Sequence, residues 1–313
     1  MGRKEIEKTE LTAIPRSQTL IMSSSAPTLL YPDIADISHA TPALVEFLRH
    51  YFQAKSRHYA DEWIKDFDTS KITYTETVLG LHLNSANFEA TTKAIMATWG
   101  ADARSYPLRI IGDTHSAVMF FVDTPAMFGY ELRGIAALDM ENGKVVRQVD
   151  YWDGRRAPLA ETRVPESQYP TDFGESAVAR ARNSALQSVV NELHAGLSTG
   201  NSSATAALFD HDAVWEDRTT RTLLDGRLAI ERYLARASSI LPYGTGAAVR
   251  HVVGNEQGGG YEWMGGPGAA ARHGMTALKL NKDGLITWIC PFWDASYASD
   301  VAIATLLRLA IEE

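Results

Sequence analysis

Hydrophobic and polar positions follow two different periods along the chain, and their order predicts the class of the fold. Apolar residues recur at helical spacing over residues 44–52 and again over residues 88–99. The stretch 71–78 and most of 108–152 are instead rich in β-branched and aromatic residues, which is typical of strands. Helices that come first and antiparallel strands that follow indicate the α+β class.

The same order of patterns returns in the second half of the chain, which predicts a tandem duplication. It gives a helix at 186–194, a strand at 213–218, a helix at 228–237 and then strands up to Trp293. Several landmarks at one offset are hard to obtain by chance. Four pairs lie 141 positions apart: Tyr74 with Trp215, Glu76 with Asp217, Gly143 with Gly284, and Trp152 with Trp293.

These patterns divide the chain into four parts. We expect a flexible N-terminal tail over residues 1–38, a first domain over 39–153, a linker over 154–183 and a second domain over 184–313. The linker carries Pro158, Pro165 and Pro170 among many charged residues, a composition typical of a segment that crosses a surface. The second domain ends in an amphipathic helix, which we expect to pack on its own domain.

Composition and charge exclude several classes of partner. The formal net charge is −8, which offers no basic surface for nucleic acid or for anionic lipid. No run approaches the roughly 18 apolar residues of a membrane span, so we expect a cytoplasmic protein. No His, Cys or carboxylate cluster has the spacing of metal ligands, and no glycine-rich phosphate loop is present. We therefore expect neither a metal nor another cofactor.

The order of elements and one motif resemble a known superfamily. The segment from Asn142 to Asp153 ends in Asp150-Tyr151-Trp152-Asp153, and Pro291-Phe292-Trp293-Asp294 repeats it in the second half. This pattern is similar to the SnoaL-like and ketosteroid-isomerase-like superfamily, which has the cone fold of nuclear transport factor two. The resemblance covers residues 40–153 and 184–297. It implies two tandem cones, each a curved antiparallel sheet wrapped by about three helices around one pocket.

Part of the first copy resembles the limonene-epoxide-hydrolase-like branch of that superfamily. The branch has Tyr-x-Asn on its first strand, Arg-x-Asp on a middle strand and an Asp before the final aromatic pair. Here Tyr74 and Glu76 occupy the first motif, Phe121 and Asp123 the second, and Asp150 the last position. Phe replaces Arg, so the two aspartates lose the cation that would keep them ionised. This departure puts direct epoxide hydrolysis in doubt.

The remaining polar set suits proton abstraction and return in an apolar cavity. We expect Asp150 to act as base or acid, with Asp123 as its coupled partner and Glu76 as a further carboxyl group. Tyr74 would donate a hydrogen bond to a developing oxyanion. Each of these residues also has a purely structural interpretation, at a sheet edge, in a turn, at the surface or in the core. The expected substrate-binding residues are Trp63, Trp99, Phe121 and Trp152.

The second copy has a weaker set of candidate residues. Pro291 stands at the position of Asp150, and glycines interrupt the predicted middle strand. Asp217 and Glu262, with Trp215 beside them, form the alternative site if the second copy is the active one. Otherwise this copy is a structural or interface partner of the first.

The sequence favours a cofactor-free isomerase, cyclase or lyase that acts on a hydrophobic metabolite of terpenoid or polyketide type. An epoxide hydrolase or an epoxide-opening cyclase is the alternative within the enzymes. A non-catalytic protein that binds an apolar ligand or dimerises through its sheets is the alternative from another class. The expected partners are a hydrophobic small molecule and either a second copy of the chain or the other domain.

Overall fold

The computed structural model describes residues 30–169, 171–175 and 183–311. Within these residues two mixed sheets form, one of seven strands and one of six. The strands are β1 (Asp36–Ala40), β2 (Thr73–Glu76), β3 (Leu81–Asn84), β4 (Ser105–Gly112), β5 (Ser116–Asp123), β6 (Leu132–Glu141), β7 (Lys144–Trp152), β8 (Phe209–Asp217), β9 (Thr222–Asp225), β10 (Ala248–Asn255), β11 (Gly258–Met264), β12 (His273–Leu280) and β13 (Ile286–Trp293). The first sheet has the order β1-β4-β5-β6-β7-β2-β3, and the second has the order β10-β11-β12-β13-β8-β9.

Helices cover one face of each sheet. The α-helices are α1 (Pro42–Ser56), α2 (Ala60–Ile64), α3 (Phe88–Met96), α4 (Pro125–Phe128), α5 (Leu159–Thr162), α6 (Ser184–Thr199), α7 (Ser202–Ala206), α8 (Arg227–Ala237) and α9 (Asp300–Leu309). Short 3₁₀ turns cover Gly154–Arg156, Glu166–Gln168, Thr171–Gly174 and Ala295–Tyr297. The predicted α+β class with two tandem cone-shaped units is confirmed. The sheets are mixed and not antiparallel as expected, because β1 pairs in parallel with β4, β2 with β7 and β8 with β13.

Local sequence signals explain where the long helices begin and end. Pro42 lies in the first turn of α1, where its fixed φ suits a helix and its missing N–H costs nothing. The Asn183 side chain accepts a hydrogen bond from the Leu186 backbone N–H at the start of α6. Gly200, with a φ of 68°, ends the same helix in the left-handed conformation.

The hairpin between β6 and β7 fixes the register of β7, the strand that carries Asp150-Tyr151-Trp152. Asn142 and Gly143 have φ values of 51° and 74°, as a two-residue type I′ turn requires. Glu141 then pairs with Lys144, and Gly134 pairs with Trp152 at the far end. The Asn-Gly pair is a sequence typical of such a turn.

Several elements differ from the sequence prediction. β1 begins at Asp36, so residues 36–38 of the predicted tail form a strand that pairs in parallel with β4. Residues 1–29 of that tail lie outside the described residues. The short strands β3 and β9 were not predicted.

β11 is continuous, although its glycines were expected to interrupt it. A Cβ at Gly260 would lie 2.8 Å from the Thr276 carbonyl oxygen and 3.2 Å from Cγ2 of Val118 in the first sheet. The glycines therefore permit close packing between strands and between sheets, and they do not break the strand.

Each unit has its own core, and a third apolar cluster joins the outer faces of the two sheets. That cluster includes Val118, Phe120, Tyr151, Met275 and Cys290, all of which are buried. The two units therefore pair within one chain, which was one of the two pairings considered from the sequence.

Buried polar contacts cross the same junction. The Tyr151 hydroxyl donates to Glu262 at 2.6 Å, and an Arg147 guanidinium nitrogen lies 2.7 Å from the same carboxylate. Arg147 and Glu262 are both buried, so each charge is compensated by the other inside the junction.

The C-terminal helix α9 packs on the second unit, as predicted. Leu306 is buried in the second core, and the Arg236 side chain of α8 donates to the Leu309 carbonyl oxygen. Across the parts of the chain that the structure describes, no helix has both the length and the apolar character to cross a membrane.

Candidate active site

A cavity of about 130 Å³ opens between the sheet and the helices of the first unit. Its walls are mostly apolar, and its size is close to that of a cavity that holds one benzene molecule. All eight residues that the sequence assigned to the first site line this cavity: Trp63, Tyr74, Glu76, Trp99, Phe121, Asp123, Asp150 and Trp152. The sequence pattern therefore identified a set of residues that the fold brings together.

Two neighbouring strands bring a pair of carboxyl groups side by side. β2 runs parallel to β7, and Glu76 pairs directly with Asp150 in the register. Because side chains alternate between the two faces of a strand, Tyr74, Glu76, Asp150 and Trp152 all point to the inner face. The concave side of the sheet thus presents two carboxyl groups to one cavity.

Asp150 is buried and held by two hydrogen bonds. The Tyr74 hydroxyl donates to Oδ2 at 2.6 Å, and the Gln148 side-chain amide donates to Oδ1 at 2.8 Å. The Tyr51 hydroxyl in turn donates to Gln148 at 3.1 Å, which fixes that amide. Burial raises the pKa of Asp150 to about 6, although these hydrogen bonds and the Lys55 charge oppose the rise.

Glu76 has a different environment at the end of β2. The Leu79 backbone N–H donates to Oε2 at 2.7 Å, and the Trp152 indole N–H donates to Oε1. Burial raises the pKa of Glu76 to about 8 in spite of these hydrogen bonds, and the nearby Asp150 charge adds to the rise. At pH 7 Glu76 is therefore mostly protonated while Asp150 is mostly ionised, which is the arrangement of an acid and a base.

Asp123 is paired with a cation that sequence reasoning missed. Lys55 of α1 lies with its Nζ atom 3.2 Å from Oδ1 and 3.4 Å from Oδ2 of Asp123, and the Ser105 hydroxyl also donates to Oδ1. The same ammonium group lies 5.3 Å from the centre of the Phe121 ring. The expectation that the site lacks a cation is therefore wrong, because a helix supplies the charge that the strand does not.

The sequence contained a signal for Lys55. It lies at helical spacing from Leu48, Tyr51 and Phe52, which form the buried face of α1. A lysine at such a position is placed among core residues and needs a buried partner. The partner is distant in the sequence, so its identity depended on the tertiary structure.

Two of the expected roles change with this geometry. The Tyr74 hydroxyl donates its proton to Asp150, so it is not free to stabilise an oxyanion. Asp123 interacts with Lys55 and Ser105, so its direct partner is the lysine and not Asp150. Glu76 instead takes the place beside Asp150, because the parallel register of β2 and β7 brings those two together.

The second unit repeats the hydrogen bonds of Glu76 at the same 141-residue offset. Asp217 accepts from the Trp293 indole N–H at 3.3 Å and from the Thr220 backbone N–H at 2.8 Å. Burial raises the pKa of Asp217 above its usual range. Large aromatic side chains in the corresponding interior are fully buried: Trp215, Tyr233, Tyr243, Tyr261 and Trp263.

The alternative pair in the second unit is not formed. Asp217 accepts a hydrogen bond from the Tyr243 hydroxyl in the interior of the cone. Glu262 lies on the opposite face of the sheet, where it contacts Arg147 and Tyr151 of the first unit. The two carboxyl groups are therefore separated by the sheet itself.

Gly134 leaves space for one wall of the cavity. It pairs with Phe121 on one side and Trp152 on the other, and a Cβ there would lie 2.5 Å from Cζ of the Phe121 ring.

We expect G134A to push the Phe121 ring into the cavity and to weaken binding of benzene about tenfold, or about 1.4 kcal/mol. Benzene-induced stabilisation against heat measures the change. The double variant G134A/F121L should recover binding, and equal binding by G134A and the parent would contradict the steric argument.

Among the described residues, no group of three or more His, Cys, Asp or Glu side chains could hold a metal ion. The polar side chains that line the cavity belong instead to one lysine, three carboxyl residues, two tyrosines, one threonine and three tryptophans.

Comparison with known proteins finds structural likenesses of low sequence identity. No protein-family model and no curated protein matches the chain. A bacterial protein with a cystatin-like fold from Silicibacter pomeroyi is 16% identical, covering 41% of this chain and 85% of its own, with a TM-score of 0.34. A steroid delta-isomerase from Pseudomonas aeruginosa is 13% identical, covering 41% and 90%, with a TM-score of 0.32. An NTF-2 like protein from Burkholderia xenovorans is 19% identical, covering 35% and 81%, with a TM-score of 0.30.

Each of these likenesses covers less than half of this chain. At such identities and TM-scores they carry no argument about the superfamily or the reaction. The reaction has to be argued from the site.

Proposed function

We propose that this protein is an acid/base enzyme that moves a proton within an apolar small molecule bound in the first-unit cavity. Asp150 is the base and Glu76 is the acid. One observation carries the proposal: two adjacent carboxyl groups line one apolar cavity, with pKa values of about 6 and about 8 on either side of neutrality.

The geometry suggests how each group would act. The ionised Asp150 takes a proton from a carbon of the substrate, while the hydrogen bonds from Tyr74 and Gln148 hold its carboxylate in place. Glu76 donates its own proton to a substrate oxygen and so neutralises the negative charge that develops there. Return of the proton from Asp150 to another carbon, together with return of the enol proton to Glu76, completes an isomerisation. Departure as water of a hydroxyl group that Glu76 protonates would instead give an elimination. Attack of the enol carbon on a second carbonyl group would give a cyclisation, in which that carbonyl oxygen takes the proton from Asp150 and the enol proton returns to Glu76.

The cavity restricts the substrate. A cavity of about 130 Å³ with mostly apolar walls can hold a molecule with about one ring. Proton donation by Glu76 requires an oxygen atom on that ring. A small oxygenated metabolite of terpenoid or polyketide type has this chemistry. The acidic net charge supports the expectation of a cytoplasmic enzyme that binds neither nucleic acid nor a membrane.

Epoxide opening is a second candidate because of Lys55. The ion pair with Asp123 restores a cation to the cavity, at a different position from the arginine of the epoxide-hydrolase-like branch. Glu76 could protonate an epoxide oxygen while Asp150 activates the attacking water or carbon. Conversion of cyclohexene oxide to the diol, without isomerisation of a ketone, would favour this second function.

The pH dependence of turnover follows from the two carboxyl groups. Activity should rise as Asp150 ionises with a pKa of about 6 and fall as Glu76 loses its proton with a pKa of about 8. We therefore expect a bell-shaped profile with its maximum near pH 7. Initial rates across this range at substrate concentrations well below KM measure it, because kcat/KM reports the pKa values of the free enzyme. A profile that rises steadily up to pH 9 would exclude Glu76 as the acid.

The direct experiment offers the full chain a β,γ-unsaturated cyclohexenone. Conversion to the conjugated ketone produces a strong ultraviolet absorbance, which measures proton transfer without a coupling enzyme. We expect conversion faster than in buffer alone. Tight binding of the ketone with neither conversion nor exchange of its acidic hydrogens for deuterium would overturn the proposal and favour a ligand carrier.

A further inference from the structure

A segment of the linker lies against the turn that directly follows Glu76. This turn, residues 77–80, joins β2 to β3 and ends at Gly80, which has a φ of 71°. Its Leu79 backbone N–H is the group that donates to Glu76, and the Leu79 side chain lines the cavity. The position of this turn therefore determines both a hydrogen bond of the acid and part of the cavity wall.

The linker binds this turn through its backbone. The Arg163 guanidinium donates from Nε to the Val78 carbonyl oxygen at 2.6 Å, and the Val164 N–H donates to the Leu79 carbonyl oxygen at 2.8 Å. The Tyr169 hydroxyl also donates to Val78, at 3.3 Å. Its ring packs so closely on Gly80 that a Cβ there would lie 2.3 Å from Cε1.

The other end of Arg163 contacts the second unit. Its NH2 group donates to Oδ2 of Asp294 at 2.7 Å and to the Ser296 hydroxyl at 2.9 Å. Asp294 is buried and accepts from the Gly154 backbone N–H at 3.0 Å through its other oxygen. One arginine thus joins a fixed carboxylate of the second unit to the turn beside Glu76.

We propose that Arg163 and Asp294 are positioning residues for Glu76, so that the second unit completes the active site of the first. Arg163 binds both the buried Asp294 and the Val78 carbonyl, and so holds the turn at a fixed distance from Asp294. In this position the turn directs the Leu79 N–H at the Glu76 carboxyl group. This inference rests on the proposed role of Glu76 as the acid. It gives the second unit a function in catalysis although Pro291 stands at the position of Asp150 in its own final strand.

The charges around Glu76 make the proposal testable. The titratable groups that face it include Asp150 on the neighbouring strand β7, Tyr74 on its own strand β2, Tyr130, Tyr169 of the linker, and Asp294. The Asp294 charge raises the pKa of Glu76, whereas the Leu79 N–H lowers it. Loss of Arg163 leaves Asp294 unneutralised and loosens the turn, and both effects raise this pKa. Replacement of Asp294 by asparagine removes a negative charge and lowers it.

The Trp152 indole N–H is the probe, because it donates to Glu76. Its ¹H–¹⁵N resonance in the full chain should titrate with the Glu76 pKa of about 8. We expect R163M to raise this midpoint, and D294N to lower it, by about 0.5 pH unit or more. W152F assigns the resonance, and E76Q should abolish its titration.

R155M is the matched control, because Arg155 also joins the linker to the second unit, through the Thr219 carbonyl, without touching the turn. Its midpoint should equal that of the parent. An unchanged midpoint in R163M would overturn the positioning role. If R163M fails to fold, R163K decides instead, because its single nitrogen keeps a positive charge beside Asp294 but cannot bind Asp294 and the Val78 carbonyl together, so its midpoint should also rise. A parent resonance that does not titrate near pH 8, or an E76Q variant that still titrates, would instead exclude Glu76 as the acid and overturn the proposed function.

Discussion

Asp150→Asn is expected to lower turnover of the ketone probe by about 10²- to 10⁴-fold, the range typical of a lost general base. The asparagine has the same shape and keeps an oxygen that can accept the hydrogen bond from Tyr74 or Gln148. It cannot take up a proton from carbon. Affinity for benzene, which makes only apolar contacts, should therefore change by less than a factor of about three.

Steady-state rates and benzene binding, measured on the same preparation, separate catalysis from structure. D153N is the control, because Asp153 lies three residues further along and pairs with Arg155 outside the cavity. It should retain full turnover. Equal turnover by D150N and the parent would eliminate Asp150 as the base. A simultaneous loss of benzene binding would assign the carboxylate a structural role.

Lys55→Met is expected to lower the free energy of unfolding by about 3–5 kcal/mol, as is typical when one partner of a buried ion pair is removed. The Lys55 and Asp123 side chains expose only 9% and 4% of their surface, so solvent does not replace the lost partner. Methionine fills a similar volume among the apolar residues of α1. The cost therefore comes mainly from the Asp123 carboxylate, which is left in the cavity with the Ser105 hydroxyl.

Urea unfolding at pH 7 measures this cost, and a second substitution identifies its origin. K55M/D123L removes both charges and should recover most of the lost stability, because an apolar pair needs no compensation. K65M is the surface control, since Lys65 pairs with Glu62 in solvent and its loss should leave the urea midpoint almost unchanged. A K55M variant as stable as the parent would mean that Asp123 becomes protonated or hydrated without a penalty.

The sequence was informative wherever a local pattern determines the structure. The Asn142-Gly143 turn fixes the hairpin, and the alternation along β7 fixes which side chains point inward. The 141-residue offset extends even to hydrogen bonds: Asp217 accepts from Trp293 as Glu76 accepts from Trp152. Such features need only the period of a strand and the recurrence of a motif.

The parts that could not be predicted depend on contacts between distant segments. The parallel pairing of β2 with β7 sets Glu76 beside Asp150, and no local pattern encodes that register. Lys55 reaches Asp123 across a gap of 68 residues. The glycines of β11 look like breaks in isolation, and only the neighbouring sheet explains why side chains are excluded there.

The apolar cluster between the outer faces of the sheets has a consequence for how the two copies can diverge. In a dimer of identical chains, every substitution appears in both subunits. Association of the subunits also costs translational entropy, so dilution favours the separated chains. Covalent linkage makes the encounter intramolecular and keeps the local concentration high. One half can then carry Pro291 at the position of Asp150 and bury Trp215 and Trp263 in its interior, while the other half retains an open cavity. Two fused copies can therefore differ from each other in sequence and structure, whereas the subunits of a homodimer cannot.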